Sequence, residues 1–455
     1  MFRFLQHLHR PILLIVLALF LTSANEPVVA SESEYRVAET LDIDTVPSSF
    51  RVRFCLLTHG SRQYVAYYNE THQMVVASRE LGQSNWEKKR LPTKVGYDSH
   101  NYIVMAVDRD GHLHVSGNMH CVPLIYFRTD VAGDITTLDQ YSMTGQEELR
   151  CTYPGFLTDN DGNLLFTYRS GGSGNGRRFY NRYDSKTKTW SRFLDTPLFE
   201  GENERNAYPS GITRGPDGYF HLPWVWRDTP DCATNHHLSY VRSRDLKSWE
   251  TAGAKNVSLP LTLGQKETWV DPVQSGGGII NGCARLAFDA QHRPILSYHK
   301  RDADGNMQIY VARFEEGGWR THAITDWNTR VPFSGTGSMP FIGIRISELL
   351  KVEPGVFVIS FEHRDYGHGQ IVLDEASLLP IDREVSIAKV RPAELEKPRL
   401  KMKGIDVYWA DDLGSSNDPN VQYFLRWESL GVNHDRPHPS AEPPPSVLQL
   451  IKLEK

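Results

Sequence analysis

One hairpin pattern recurs along this chain and constrains its fold more than any other feature. Each copy has an apolar strand, a turn rich in Asp, Gly or Pro, and a second strand in which apolar and polar residues alternate. Turns of this composition join antiparallel neighbours. The copies occupy residues 97–130, 153–170, 208–228, 283–302 and 346–365. Their turns recur about every 50 residues, which is the period of a repeat with four short strands.

A third strand that ends in an aromatic residue often follows the hairpin. Segments 78–86 (SRELGQSNW) and 243–249 (SRDLKSW) look like degenerate Asp-boxes, the turns found between the outer strands of propeller blades. The repeat therefore predicts an all-β fold, a seven-bladed β-propeller with blades that begin near residues 52, 100, 151, 207, 281, 338 and 400. Segment 35–43 is expected to pair with the last blade and close the ring, because an open sheet edge invites aggregation.

The N-terminal residues have the features of an export signal. Residues 1–30 begin with basic residues, continue with an apolar stretch at 12–21 and end in small residues. The stretch is shorter than the ~20 residues of a membrane span, so we expect a signal peptide over 1–30 and one catalytic domain over 31–455. The mature protein is then secreted or periplasmic, with no membrane span after signal removal.

The charge composition of the chain argues against nucleic acid as a partner. The chain has 455 residues and a net charge of −5, which gives no general attraction for nucleic acid. An anionic partner must therefore meet a local basic site. Five cysteines without dense spacing do not form a disulfide framework. We expect a monomer stabilised by its packed core.

Four reactive side chains align near one rim of the predicted propeller. His100 and His120 lie at the outer ends of one hairpin, and Tyr153 and Arg169 at the ends of the next. Strand ends at a rim are places where a rigid scaffold presents reactive groups. The four are therefore candidate catalytic residues from two adjacent blades.

Two imidazoles, a phenol and a guanidinium suit elimination at a uronic acid. Arg169 would pair with the substrate carboxylate and stabilise the enolate-like charge that forms when the C5 proton leaves. A His or Tyr would take that proton, and the other would protonate the departing O4. Equivalent positions hold no pair of carboxylates, which argues against ordinary glycoside hydrolysis.

Each of these residues also has an ordinary structural interpretation. A His at a strand end is commonly solvated or hydrogen-bonded, Tyr153 precedes Pro154 and would serve as a packing residue, and Arg169 would close a salt bridge between blades. Tyr168 and Arg182 are rival assignments for the phenol and the guanidinium. Periodicity alone does not choose among these alternatives.

Four stretches resemble the BNR-repeat polysaccharide lyases, seven-bladed propellers that include the ulvan lyases and the rhamnosyl-glucuronate lyases. The stretches are SRQYVAYYNETHQMVVASREL, SHNYIVMAVDRDGHLHVSGNMH, TYPGFLTDNDGNLLFTYRSGGSGNG and NHHLSYVRSRDLKSWE. The resemblance extends from about residue 50 to the end. It implies cleavage of a sulfated uronic-acid polysaccharide, ulvan above all, by β-elimination at glucuronate or iduronate to leave a 4,5-unsaturated end.

The resemblance also implies roles for the four residues. His100 would be the principal proton donor or acceptor, His120 its partner, Tyr153 the second acid or base, and Arg169 the group that neutralises the carboxylate. Which of His100 and Tyr153 acts as base stays open.

Further contacts to an anionic polysaccharide are expected nearby. Arg177 and Arg178 end a Gly-rich loop, 169–178, where they would meet sulfate groups. Tyr208 and Arg227 lie on the following blade and are candidate substrate contacts.

A structural zinc site is a further expectation, although the chemistry itself requires no cofactor. Cys283 and His299 repeat the spacing of Tyr153 and Arg169, and His237 and His363 would complete a ligand set. Some members of the resembled family carry a structural metal. The sequence has no compact ligand motif such as CxxC.

Two other functions remain open at this point. The Asp-box turns are compatible with a sialidase-like or other glycoside hydrolase, and a propeller of this size is also compatible with a non-catalytic carbohydrate-binding protein.

Overall fold

The structure is a computed structural model that describes residues 34–387, 390–414 and 418–455. The predicted signal peptide, 1–30, lies outside the described residues. Strands dominate, and the helical elements of the described chain are short 3-10 turns: Ser99–Asn101, Ile135–Thr137, Cys232–Thr234, Lys266–Thr268 and Ala393–Glu396. Within these ranges, no helix is long and apolar enough to cross a membrane.

The strands of the described residues form seven antiparallel sheets, which we number blades 1 to 7. Blade 1 contains Cys55–His59, Arg62–Tyr68, Gln73–Glu80 and Glu87–Lys94. Blade 2 contains Ile103–Val107, Leu113–Gly117, Tyr126–Thr129 and Leu138–Gln140. Blade 3 contains His120–Val122, Cys151–Thr158, Leu164–Ser170, Arg177–Asp184, Thr189–Arg192 and Phe199–Glu200. Blade 4 contains Asn206–Pro209, Thr213–Arg214, Phe220–Arg227, Asn235–Ser243, Trp249–Glu250, Asn256–Val257 and Trp269–Asp271.

The remaining sheets follow in chain order. Blade 5 contains Arg285–Phe288, Pro294–Arg301, Met307–Glu315 and Gly318–Ala323. Blade 6 contains Ile344–Ile346, Leu350–Glu353, Val356–His363 and Gly367–Asp374. Blade 7 contains Ile405–Asp411, Val421–Leu430, Ser446–Glu454 and, from the other end of the chain, Arg36–Val46. The all-β propeller prediction is confirmed.

The expected ring closure is present. Arg36–Val46 pairs antiparallel with Ser446–Glu454, so the first and last described strands lie in one sheet. On the inner side, Leu56 of blade 1 bridges Asp412 after the first strand of blade 7. The first strands of blades 7, 1, 2 and 3 contact one another in turn, and we call the space they enclose the inner channel.

The hydrophobic core lies between neighbouring blades. Apolar side chains on one face of each strand pack against the next sheet, and their burial is the main stabilising contribution, about 25 cal/mol per Å². Trp427 of blade 7 lies 4.7 Å from the ring of Phe54, which precedes blade 1. Trp224 of blade 4 packs 5.1 Å from Phe199 of blade 3.

Candidate functional site

Two histidines face each other at the channel rim. The ring centroids of His100 and His120 are 4.2 Å apart. His100 lies in the turn Ser99–Asn101, just before blade 2. His120 begins a short strand that leaves blade 2 and pairs with blade 3, where His120 lies opposite Thr152. The chain between the blades therefore brings both ends of the hairpin together.

One carboxylate, which sequence reasoning missed, holds both imidazoles. Asp98 Oδ1 lies 2.8 Å from His100 Nδ1, and Asp98 Oδ2 lies 2.5 Å from His120 Nδ1. Asp98 also caps the turn by accepting a hydrogen bond from the His100 N–H. The signal was available locally, since an Asp two residues before His100 is a turn-capping residue. With Nδ1 of each ring turned to Asp98, Nε2 of each ring is left for substrate.

Distant parts of the chain complete the surroundings of His100. Asp435 Oδ1 of blade 7 lies 3.3 Å from His100 Nδ1, and Ser338 Oγ, which precedes blade 6, lies 3.2 Å away. Burial alone would lower the pKa of His100, but the carboxylates of Asp435 and Asp98 outweigh it and raise the pKa to about 9. Burial likewise opposes ionisation of Asp98, yet its hydrogen bonds to the two histidines hold its pKa well below the usual range.

A backbone irregularity directs Tyr153 into the channel. The pairing register of Cys151–Thr158 shifts between Thr152 and Gly155, and Tyr153 has a φ of 58°. Such bulges re-aim a side chain, and a left-handed non-glycine residue costs roughly 1–3 kcal/mol. The Tyr153 ring lies 5.8 Å from His100. Burial raises the pKa of Tyr153 above its ordinary value, so the phenol keeps its proton.

The Arg169 guanidinium packs against the Tyr153 ring. Its guanidinium carbon is 4.9 Å from the centre of the Tyr153 ring, and Nη2 donates to Thr152 Oγ1 at 3.0 Å. Arg169 is 2% exposed and forms no ion pair with the described carboxylates. The structure thus brings the four predicted residues together in the order His120, His100, Tyr153, Arg169.

Three of the four predicted substrate contacts lie beside this cluster. Tyr208 lies 6.0 Å from Tyr153, and the Arg227 guanidinium lies 5.4 Å from the Tyr208 ring. Arg227 shares a cavity of about 450 Å³ with His100 and Tyr153. Arg178 is the cross-strand partner of Arg169.

The fourth predicted substrate contact, Arg177, is directed toward Glu147 instead. Its Nη2 lies 2.8 Å from Glu147 Oε2, and its charge is balanced there. The Gly-rich loop owes its glycines to its own packing. Gly171 has a φ of 93°, and a Cβ on Gly176 would lie 1.8 Å from Asn206 Oδ1. The loop contacts the site through Ser173, whose hydroxyl accepts a hydrogen bond from Tyr208.

The rival assignments are not supported by the geometry. The Tyr168 hydroxyl donates to the Gln146 carbonyl and accepts from Arg192 on the outer side of the blade. Arg182 lies opposite Leu165 in the middle of blade 3 and borders an outer cavity with Lys186.

The predicted zinc ligands are not assembled. Cys283 and His299 line the same cavity, but His299 Nδ1 bonds the Gly278 carbonyl and burial lowers its pKa to about 4. Burial also raises the pKa of the Cys283 thiol. His237 packs on Trp269, and His363 packs between Trp327 and Tyr366. That ligand set is wrong because equal spacing on two hairpins does not make four separate strand ends converge.

A different group of donor atoms does converge. Within the described ranges, one set of at least three His, Cys, Asp and Glu side chains is close enough to share a cation: Asp98, His100, His120 and Asp435. Ligands of a tetrahedral zinc ion with bonds of about 2.0 Å stand roughly 3.3 Å apart. The 2.5 and 2.8 Å separations at Asp98 are hydrogen-bond lengths instead.

Comparison with known proteins places the chain in a family. The model of the BNR repeat-containing family matches residues 62–327, more than half of the chain. The chain belongs to this family. Among curated relatives, a long-isoform ulvan lyase of Pseudoalteromonas sp. (strain PLSV) is 54% identical over 66 residues, 14% of this chain and 6% of the relative. One of Glaciecola sp. (strain KUL10) is 38% identical over 87 residues, 19% of this chain and 8% of the relative. The matches thus span less than a tenth of these relatives.

Solved structures share the fold over most of the chain. The polysaccharide lyase Uly1 has a TM-score of 0.59 at 13% identity, covering 91% of this chain and 99% of that one. A PL25 ulvan lyase bound to -[GlcA(1-4)Rha3S]- has a TM-score of 0.56 at 12% identity, covering 87% and 94%. At these identities the likeness establishes the fold.

Proposed function

We propose that this protein is a polysaccharide lyase that cleaves a uronic-acid-containing anionic polysaccharide, ulvan, by β-elimination. The observation that carries the proposal is the contact series from His120 through His100 and Tyr153 to Arg169. It combines groups that move protons with a buried guanidinium that forms no ion pair with a carboxylate of the described residues. Relatives named ulvan lyases, and a related fold bound to a glucuronate-containing repeat, support the substrate class.

In the proposed mechanism, Arg169 binds the carboxylate of the uronic acid. Its fork of N–H donors matches two carboxylate oxygens. In a buried site this pairing stabilises the enolate-like charge that develops as the C5 proton leaves. His100, cationic at neutral pH because two carboxylates raise its pKa to about 9, adds positive charge beside the same ring.

The base must begin without a proton on the atom that faces the substrate, and the acid must begin with one. His120 turns Nδ1 to Asp98, so its Nε2 accepts the C5 proton. The C5–H electrons form the C4–C5 double bond, the C4–O4 bond breaks, and O4 leaves with a proton from the Tyr153 hydroxyl. Tyr153 suits this role because burial keeps its phenol protonated. The products are a 4,5-unsaturated uronate end and a new hydroxyl end.

The test is product formation on a panel of uronic-acid polysaccharides, with and without sulfate. A lyase generates the ultraviolet absorbance of a double bond conjugated to a carboxylate. His100→Ala and Arg169→Ala should abolish it, whereas Arg320→Ala, on the outer strand of blade 5, should not. New reducing ends without that absorbance would instead indicate a hydrolase, and binding without turnover would indicate a carbohydrate-binding propeller.

Secretion and a monomeric state remain part of this proposal. The proposed export rests on the signal-like composition of residues 1–30, and an extended external polymer is a substrate that an exported enzyme can reach.

A further inference from the structure

A row of exposed cations precedes the innermost strand of blade 7. Residues 397–403 read KPRLKMK, with no Asp or Glu among them. Four exposed basic residues alternate there with three half-buried residues: Lys397, Arg399, Lys401 and Lys403 with Pro398, Leu400 and Met402. None of these four cations forms an ion pair with a carboxylate of the residues that the structure describes. We call residues 397–403 the basic strip.

A buried ion pair fixes the backbone of the basic strip. Glu428 of blade 7 accepts hydrogen bonds from the backbone N–H groups of Arg399 and Leu400, at 2.9 and 2.8 Å. Arg426 pairs with Glu428 and donates to the carbonyl of Lys397 at 2.9 Å. Burial opposes ionisation of Glu428, but the backbone N–H groups of the strip lower its pKa. The strip is therefore held along a defined path, with its charges directed outward.

The basic strip ends at the rim that carries the candidate site. The chain then enters the strand Ile405–Asp411, whose Asp406 lines the cavity that contains His100. The first residue of this strand pairs with Leu430, and the chain after Leu430 continues to Asp435 beside His100. When extended, seven residues span roughly 20 Å, which is the length of several sugar residues. The strip therefore forms a charged approach to the cavity from outside the channel.

We propose that the basic strip binds the anionic polysaccharide outside the catalytic cavity and holds it at the rim. This inference rests on the proposed function, whose substrate is a polyanion. A row of fixed cations matches anionic groups that repeat along a polymer, because each further contact is intramolecular once the first has formed. It also raises the local concentration of an anionic chain beside the cavity. A membrane is a poor match, since the apolar residues of the strip are half-buried.

The experiment compares a polymer with a short substrate. The strip variant carries four substitutions: Lys397→Gln, Arg399→Gln, Lys401→Gln and Lys403→Gln. A matched control loses the same charge from the outer strands of blades 1 and 5: Lys88→Gln, Lys89→Gln, Arg90→Gln and Arg320→Gln. Affinity for fluorescently labelled ulvan is measured in the His100→Ala background, which removes turnover. With His100 present, kcat and KM are measured on ulvan and on an oligosaccharide of two repeats.

Loss of the strip should weaken ulvan binding and raise KM on ulvan on the order of tenfold, because four exposed charge contacts each contribute little. Both kcat and the KM for the oligosaccharide should stay at the wild-type value, since a short substrate occupies the cavity without reaching the strip. The difference from wild type should shrink at about 0.5 M sodium chloride, where exposed charges are screened. The control should bind and turn over ulvan like wild type, with melting temperatures measured for both variants.

An equal loss on ulvan and on the oligosaccharide would make the strip part of the catalytic cleft and overturn a separate site. Unchanged ulvan affinity in the strip variant, or the same loss in the control, would overturn binding by the strip altogether. The proposed function fails separately, if folded wild type produces no unsaturated product. In that case the affinities measured in the His100→Ala background still decide whether the strip binds the polymer.

Discussion

Replacing Asp98 by Asn tests whether one carboxylate organises both imidazoles. The substitution keeps the size and removes the charge. An ionised carboxylate accepts from both Nδ1–H groups, at 2.8 and 2.5 Å, whereas an amide offers one acceptor oxygen and one NH₂ donor. One of the two imidazoles then loses its acceptor. If it is His120, the ring must change tautomer and present Nε2–H where the reaction needs a lone pair, or give up its hydrogen bond.

The expected loss in kcat is about 10²–10⁴-fold, the range for a positioned acid or base, which corresponds to about 3–5 kcal/mol of barrier. KM should change less, because both carboxylate oxygens of Asp98 are engaged by the imidazoles of His100 and His120. The pH profile provides a second readout. Protonated His100 persists up to its pKa of about 9, so the alkaline limb of kcat should lie near there in wild type. With Asp435 as its remaining carboxylate, His100 in the variant should titrate at lower pH.

The assay is the initial rate of unsaturated-product formation as a function of pH, with melting temperature measured in parallel. Asp108→Asn is the matched control, because Asp108 makes a similar bond to His114, 3.2 Å long, inside blade 2 and away from the site. It should lower the melting temperature and leave the alkaline limb in place. A folded Asp98→Asn enzyme with wild-type kcat and an unmoved limb would refute the reasoning.

Other perturbations probe separate features of the structure. Tyr153→Phe removes the hydroxyl that would protonate O4 and should lower kcat about 10²–10⁴-fold with little change in KM, as measured by steady-state kinetics. Gly176→Ala places a Cβ 1.8 Å from Asn206 Oδ1 and 3.0 Å from the Arg169 side chain, so it should lower kcat/KM, whereas Gly172→Ala, with its nearest contact at 3.4 Å, should not. Trp427→Ala opens the packing between blades 7 and 1 and should cost about 3–5 kcal/mol in the free energy of unfolding by denaturant titration.

The fold was predictable because its information is local and repeated. A turn composition and an alternation of apolar residues recur with one period, and each copy independently indicates a hairpin. The same regularity placed His100, His120, Tyr153 and Arg169 at one rim. Alignment of hairpins is enough to find residues at equivalent heights on adjacent blades.

The contacts between side chains of the site could not be predicted, because the repeat period gives the positions of strands and not the partners of individual side chains. Cys283 and His299 have the spacing of Tyr153 and Arg169, but His299 Nδ1 bonds the Gly278 carbonyl and no third ligand reaches the two among the described residues.

Asp435 links the architecture of the ring to the chemistry of His100. It lies in the last blade, 335 residues from His100, so no local pattern could connect them. Blade 7 exists as a complete sheet only because Arg36–Val46 pairs with the C-terminal strand. The closing strand, Arg36–Val46, therefore has a second effect besides covering the edge of the last sheet. It holds in place the blade whose loop carries one of the two carboxylates that keep His100 protonated at neutral pH. Loosening of that blade would release Asp435 and lower the pKa of His100, with blades 2 and 3 and their reactive side chains still folded.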